Sequence, residues 1–164
     1  PFIEPVAVTH LQETEDLIEL VNSSHCTTLQ IQNIVEPSEI DVIRDALPYL
    51  KIVKAVHVMD ESAIEMGKRY EPYADALLLD TRTREKLGGT GIPHDWNISA
   101  AIVANSAIPV ILAGGLTPEN VAEAIRKVRP YGVDVHTGVR KDGIRNPERT
   151  LAFAREARNA LLEC

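Results

Sequence analysis

Two stretches decide the fold: Ile52-Val53-Lys54-Ala55-Val56 and, further on, Ala76-Leu77-Leu78-Leu79-Asp80. Each is a short, nearly continuous apolar run, as expected of a strand covered on both faces in a parallel sheet. The same kind of run lies to either side. Before them come Val6-Ala7-Val8 and Thr28-Leu29-Gln30-Ile31; after them come Val110-Ile111-Leu112-Ala113 and Gly132-Val133-Asp134-Val135. The runs recur roughly every 20 to 35 residues, room for a strand and a crossover helix.

Helical spacing fills the intervals. Leu17, Ile18 and Val21 mark a first helix. Ile40, Ile43 and Leu47 share a face of a second, which Pro37 opens at the position where a missing N–H costs little. Ile64, with Glu61, Glu65 and Lys68, marks a more exposed one. Val121, Ala124, Ile125 and Val128 follow the i, i+3, i+4, i+7 pattern, with Thr117 as the expected N-cap and Pro118 in the first helical position. Asn146-Pro147 repeats that device ahead of Leu151, Ala154, Ala157 and Leu161. Strict alternation makes the chain α/β, either a (βα)8 TIM-type barrel or an open doubly wound sheet. No G-x-G-x-x-G follows the first strand, which weakens the open dinucleotide-binding sheet. A barrel of eight units typically needs about 200 residues or more, so about six units leave it incomplete.

Composition sets outer bounds. The 164 residues, 18.1 kDa in mass, are 45% hydrophobic and 25% charged, which fits a folded domain with a real core rather than a disordered chain. No composition break divides residues 1–164, so they read as one domain. The formal charge of −7 argues against nucleic-acid binding, which runs on lysine and arginine. No apolar run is long enough for a membrane span. The opening Pro1-Phe2-Ile3-Glu4 lacks a signal-peptide pattern, so the expected compartment is the cytoplasm. Cys26 and Cys164 make no disulfide framework. His10, His25, His57, His94 and His136 have no metal-ligand spacing, and no metal is expected.

In α/β barrels, chemistry gathers where the strands end. Asp80 ends its run of leucines, where desolvation would make it a proton donor near neutral pH; the plainer reading is a turn cap. The long loop that follows carries Gly88-Gly89-Thr90-Gly91, either a substrate-contacting loop or a flexible connection. Gly114-Gly115 and Thr137-Gly138 follow the last two strands. Paired glycine turns there match a phosphate grip, because glycine lets backbone N–H groups approach an anion; alone, each reads as a tight turn. Asp134, inside an apolar strand, either binds a sugar hydroxyl or accepts a backbone hydrogen bond. Lys54 is either buried for a purpose or snorkels to solvent. Trp96 is expected to pack under the long loop.

In combination these segments resemble the phosphoribosylanthranilate isomerase family of tryptophan biosynthesis. The resemblance rests on Leu77 to Asp80 with Gly88 to Gly91 and Asp95-Trp96, on Pro109 to Val121, and on Tyr131 to Val139 with Gly143 to Pro147. It implies a (βα)8 barrel and an Amadori rearrangement of a phosphoribosyl substrate, with no cofactor. A general acid protonates the ring oxygen, and a general base removes the proton from the sugar C2. The resemblance makes Asp80 the acid, places Asp134 beside the ribose as the second catalytic carboxylate, and gives Gly114, Gly115, Thr137 and Gly138 the phosphate. Gly88, Gly89, Thr90 and Gly91 would form the substrate loop.

The departures from the family pattern are as informative. The family's first strand carries Lys-x-Cys-Gly, whose cysteine is the base, and its second unit supplies an arginine toward the anthranilate carboxylate. Neither segment has a counterpart here, and neither Cys26 nor Cys164 is placed to take the base role. The family's Leu-Gln-x-His-Gly reads Leu29-Gln30-Ile31-Gln32-Asn33, and its Ser-Gly reads Thr137-Gly138. The chain therefore reads as units three to eight of a barrel. Two open strand edges would result, to be covered by a longer gene product, by another chain or by a second copy in a homodimer. The expected function is phosphoribosylanthranilate isomerisation, impaired in this chain alone. The alternatives are a non-catalytic phosphosugar-binding homologue and a structural fragment.

Overall fold

The computed structural model describes residues 3–81 and 94–162. The substrate-loop residues Gly88, Gly89, Thr90 and Gly91 lie outside that range. Six strands run parallel: β1 (Val6–Thr9), β2 (Thr28–Ile31), β3 (Lys51–His57), β4 (Ala76–Asp80), β5 (Val110–Leu112) and β6 (Gly132–Val133). Their order in the sheet is simply β1-β2-β3-β4-β5-β6. A doubly wound sheet reverses its strand order at a switch point. The uninterrupted order settles the choice between the two α/β architectures in favour of the barrel type.

Strand pleating sorts the side chains. Along β3, Ile52, Lys54 and Val56 point to the helices, where Leu77 and Leu79 of β4 join them in the main core. Val53 and Ala55 point to the other, concave face, where they pack with Leu78 and Ala113. Both faces of the central strands are thus apolar, which is why their sequence reads as continuous rather than alternating.

The helices cover the convex face. Helix α1 (Thr14–Ser24) buries Leu17 and Val21 and ends at His25, in the left-handed region with φ 56°. Helix α2 (Pro37–Ala46) starts with its proline in the first turn and buries Ile40 and Ile43. Leu47 lies just past its last turn, still buried, its N–H bonded to the Ile43 carbonyl at 2.9 Å. Helix α3 (Ser62–Tyr70) buries Ala63, Gly67 and Tyr70. Helix α4 (Trp96–Asn105) is capped by Asp95, whose carboxylate accepts the Asn97 N–H at 2.8 Å. Trp96 packs against the main core. Helix α5 (Val121–Val128) buries Val121, Ala124, Ile125 and Val128, the four positions its spacing predicts. A hairpin of β7 (Arg140–Lys141) and β8 (Ile144–Arg145) precedes the last helix, α6 (Pro147–Leu162).

Four local expectations need correction. Helix α5 begins at Val121, not Pro118, because residues 118–120 form a separate turn. Thr117 still caps that turn: its Oγ1 accepts the Glu119 N–H and its carbonyl accepts the Val121 N–H. Strand β6 stops at Val133, so Asp134 and Val135 lie just beyond it. Helix α6 buries only Ala157 of the predicted set. Asn146 caps it as expected, accepting the Arg149 N–H at 2.9 Å, but Leu151 and Leu161 are 68% and 58% exposed. Ala154 is exposed too, and Phe153, Ala157 and Ala160 are the buried set. Lys54 does not snorkel: it is 1% exposed, with Nζ donating to the Ala55 carbonyl at 2.6 Å and lying 4.7 Å from the centre of the Tyr70 ring.

Candidate active site

The C-terminal ends of the strands open into one cleft of about 620 Å³. Asp80 enters it from β4, Gly114 and Gly115 from the turn after β5, and Asp134 and Thr137 from the segment after β6. Gln30 and Gln32 line it from β2 and the residues just past it, and His10 and Arg145 stand at its margins. The carboxylates, the Gly-Gly turn and Thr137, proposed separately from sequence, therefore face one space. Gly138 is not in its wall but packs against the backbone of Leu116, which is.

Asp80 is held firmly. Its backbone carbonyl accepts the Val58 N–H at 2.9 Å, and its Oδ1 accepts the Thr81 N–H at 2.7 Å. Burial pushes its carboxyl above the usual aspartate range; the Thr81 N–H opposes the rise and the Asp134 charge adds to it. Asp134 is also raised, first by burial, against the pull of the Val135 N–H and the His136 side chain. Asp80 is partly exposed and Asp134 exposed, yet burial of the carboxyl is the leading cause of the rise at both. The Asp134 charge beside Asp80 thus acts with burial to make the Asp80 carboxyl a better proton donor than an ordinary aspartate.

The glycine turns are defined by close approach. Gly114 and Gly115 have φ of 79° and 66°, the left-handed region. A Cβ at Gly114 would lie 2.3 Å from Thr81 Oγ1 and 2.4 Å from the Thr81 nitrogen. A Cβ at Gly138 would lie 1.8 Å from the Leu116 carbonyl oxygen. The rims of β4, β5 and β6 thus touch backbone to backbone.

Polar side chains that sequence reasoning did not single out brace the same turns. Asn120 donates from Nδ2 to the Gly115 carbonyl at 3.0 Å and accepts the Thr117 N–H at 2.8 Å. Arg149 donates from Nε to the Gly138 carbonyl at 3.0 Å while its two terminal nitrogens pair with both Glu119 oxygens at 3.0 Å. One signal was present for Arg149: it stands three residues after the Asn146 cap, facing back toward the turn that the cap follows. His57 bonds through Nε2 to the Gln32 carbonyl at 2.9 Å, fixing the backbone where β2 ends. Cys26 precedes β2 and so lies at the far end of the strands from the cleft. Cys164 falls outside the described residues. Among the described residues, no group of three histidine, cysteine, aspartate or glutamate side chains converges on a possible metal position.

Six parallel β/α units, with their polar groups collected at the C-terminal strand ends, place the chain in the (βα)8 TIM-barrel class. Residues 3–156 match the family described as N-(5'-phosphoribosyl)anthranilate (PRA) isomerase. The chain belongs to that family. It is 41% identical over 162 residues to N-(5'-phosphoribosyl)anthranilate isomerase 2 of Methanosarcina mazei, an alignment covering 97% of this chain and 72% of the relative. Among solved structures, phosphoribosyl anthranilate isomerase from Thermotoga maritima superimposes with a TM-score of 0.82 at 28% identity, covering 97% of this chain and 75% of that one. A phosphoribosyl anthranilate isomerase in complex with reduced 1-(o-carboxyphenylamino)-1-deoxyribulose 5-phosphate superimposes with a TM-score of 0.79 at 26% identity, covering 97% and 73%.

Proposed function

We propose that this chain acts on N-(5'-phosphoribosyl)anthranilate in tryptophan biosynthesis, turning the aminoaldose into an aminoketose, with Asp80 as the general acid. The observation that carries this reading is convergence. The desolvated Asp80 carboxyl and the turns at 114–115 and 137–138 meet around one cleft, in a chain that belongs to the isomerase family. Asp80 protonates the ribose ring oxygen, and the ring opens. A base then takes the C2 proton, and the electrons of that bond move to form the enolamine that becomes the ketose. Asp134 sits beside the ribose. Gly114, Gly115, Thr137 and Gly138 hold the phosphate through backbone N–H groups and the threonine hydroxyl.

The six units correspond, in this proposal, to the third to eighth of the barrel. Among the described residues, those lining the cleft include the carboxyls of Asp80 and Asp134 but no thiol. With no thiol base in the described lining, the chain alone is expected to bind the phosphosugar and turn it over slowly, since general-base catalysis typically contributes about 10²–10⁴-fold.

The test pairs binding with turnover. Titration with reduced 1-(o-carboxyphenylamino)-1-deoxyribulose 5-phosphate is expected to show saturable binding, and an isomerase assay of the same protein to show slow turnover. Asp80→Asn is expected to abolish the turnover and keep the binding. Unchanged turnover in Asp80→Asn would remove the acid assignment, and absence of binding would remove the substrate assignment.

A further inference from the structure

Behind Asp80 lies a line of polar side chains outside the cleft wall. Thr81 Oγ1 is 2.8 Å from His94 Nδ1, and His94 Nε2 is 2.5 Å from Ser99 Oγ on α4. Thr81 and Ser99 are buried and His94 is half-buried. Each ring nitrogen of His94 therefore has a hydroxyl partner. Burial pushes the His94 imidazole down to about 4, so near neutral pH the ring is uncharged, one nitrogen donating and the other accepting. On its other side Thr81 is closed in by Gly114, where a Cβ would strike both its hydroxyl and its nitrogen. The Thr81 hydroxyl is held between the two, and the N–H of that same residue is the donor to Asp80 Oδ1.

We propose that His94 is a positioning residue for Asp80: by fixing the Thr81 hydroxyl it holds the Thr81 N–H on Asp80 Oδ1 and leaves Oδ2 as the oxygen presented to a ligand. This inference rests on the reading of Asp80 as the acid. Its physical consequence concerns both aim and acidity. A donated N–H favours the charged carboxylate, so loosening Thr81 removes a downward pull on the Asp80 pKa. Asp80 then titrates higher and points less precisely. The other titratable or charged groups around it are His10, His57, Asp134, His136 and Arg145 about the mouth, with Asp95 beside His94. None of these is altered in the variants below, so a shift in Asp80 reports on the Thr81–His94 link.

The measurement is a carbon-13 NMR titration of the Asp80 carboxyl in the full 164-residue chain, assigned with Asp80→Asn. It needs no turnover. Thr81→Val, nearly isosteric, and His94→Phe are each expected to raise the Asp80 midpoint by about one pH unit, the equivalent of one net hydrogen bond. Thr81→Ser is expected to keep the parent value, and the Thr81→Val/His94→Phe double variant to shift no further than either single one. If Thr81→Val folds with an unchanged melting temperature and Asp80 titrates as in the parent, the inference is overturned, whether or not His94→Phe folds. A parent Asp80 midpoint at the ordinary aspartate value would instead count against the acid reading itself. The two failures are therefore separable.

Discussion

Gly138 and Asp80 show how much of the cleft depends on single residues. At Gly138 the requirement is space: a Cβ would meet the Leu116 carbonyl oxygen at 1.8 Å, and backbone cannot yield as a side-chain tip can. Gly138→Ala must therefore push apart the two turns assigned to the phosphate. Overpacking of this kind costs about 1–3 kcal/mol. Calorimetric titration with the reduced phosphoribulose analogue should show affinity lowered by about tenfold or more, since 1.4 kcal/mol is a factor of ten. Equal affinity would remove Gly138 from the phosphate grip. Asp80 carries a second signature besides activity. Its folded pKa is raised, so whatever stability it contributes is complete below the unfolded pKa and declines as pH rises through the folded one. Asp80→Asn, while losing activity, should thus be more stable than the parent at neutral pH and no more stable in acid, as urea denaturation at the two pH values would show.

At the scale of elements, the strands follow from their apolar runs and their order from the structure, whereas the exceptions have local causes. The central strands are apolar on both faces because helices cover one side and the concave interior the other. Helix α6 misled the reading because two apolar sets compete along it. Leu151 and Leu161 carry more apolar surface than Ala157 and Ala160, yet the small residues permit close packing on α5. The cap at Thr117 is real, but an extra turn intervenes before the helix, and threonine capping looks the same in sequence either way. Asp80, Gly114, Gly115, Asp134 and Thr137 were legible because strand ends converge in this architecture. Asn120, Arg149 and His94 were not, because their contacts span residues brought together only by the fold.

Lys54 belongs at this scale too, since β3 and α3 together bury it beneath Tyr70. Desolvation drives its ammonium from the ordinary 10.5 down to about 8. Below that value folded and unfolded chains bind the same proton, and the folded state carries the whole cost of the buried charge. Between about 8 and 10.5 only the unfolded chain stays protonated, so stability rises with pH. Lys54→Met should accordingly be more stable than the parent at pH 7, on the order of 1–3 kcal/mol. The gain should shrink toward pH 10 in denaturant melts. A destabilised Lys54→Met protein would mean that the carbonyl and ring contacts outweigh the desolvation.

For the whole molecule, the ends of the sheet matter most. Within the described residues β1 pairs only with β2 and β6 only with β5, and on β1 Val6 and Val8 are 44% and 58% exposed. Unpaired strands with apolar side chains favour association. Analytical ultracentrifugation of the 18.1 kDa chain is expected to show a species of at least twice that mass, dissociating on dilution. A monomer at every concentration would mean that β1 and β6 are tolerated as free edges. The bare-backbone contacts at Gly114 and Gly138 have a bearing on descent as well. Positions that admit only a hydrogen atom offer selection nothing to vary, whereas the exposed 140–145 hairpin and His10 have room for other side chains, so any refitting of the cleft to another phosphorylated ligand has space there and none at the glycine rim.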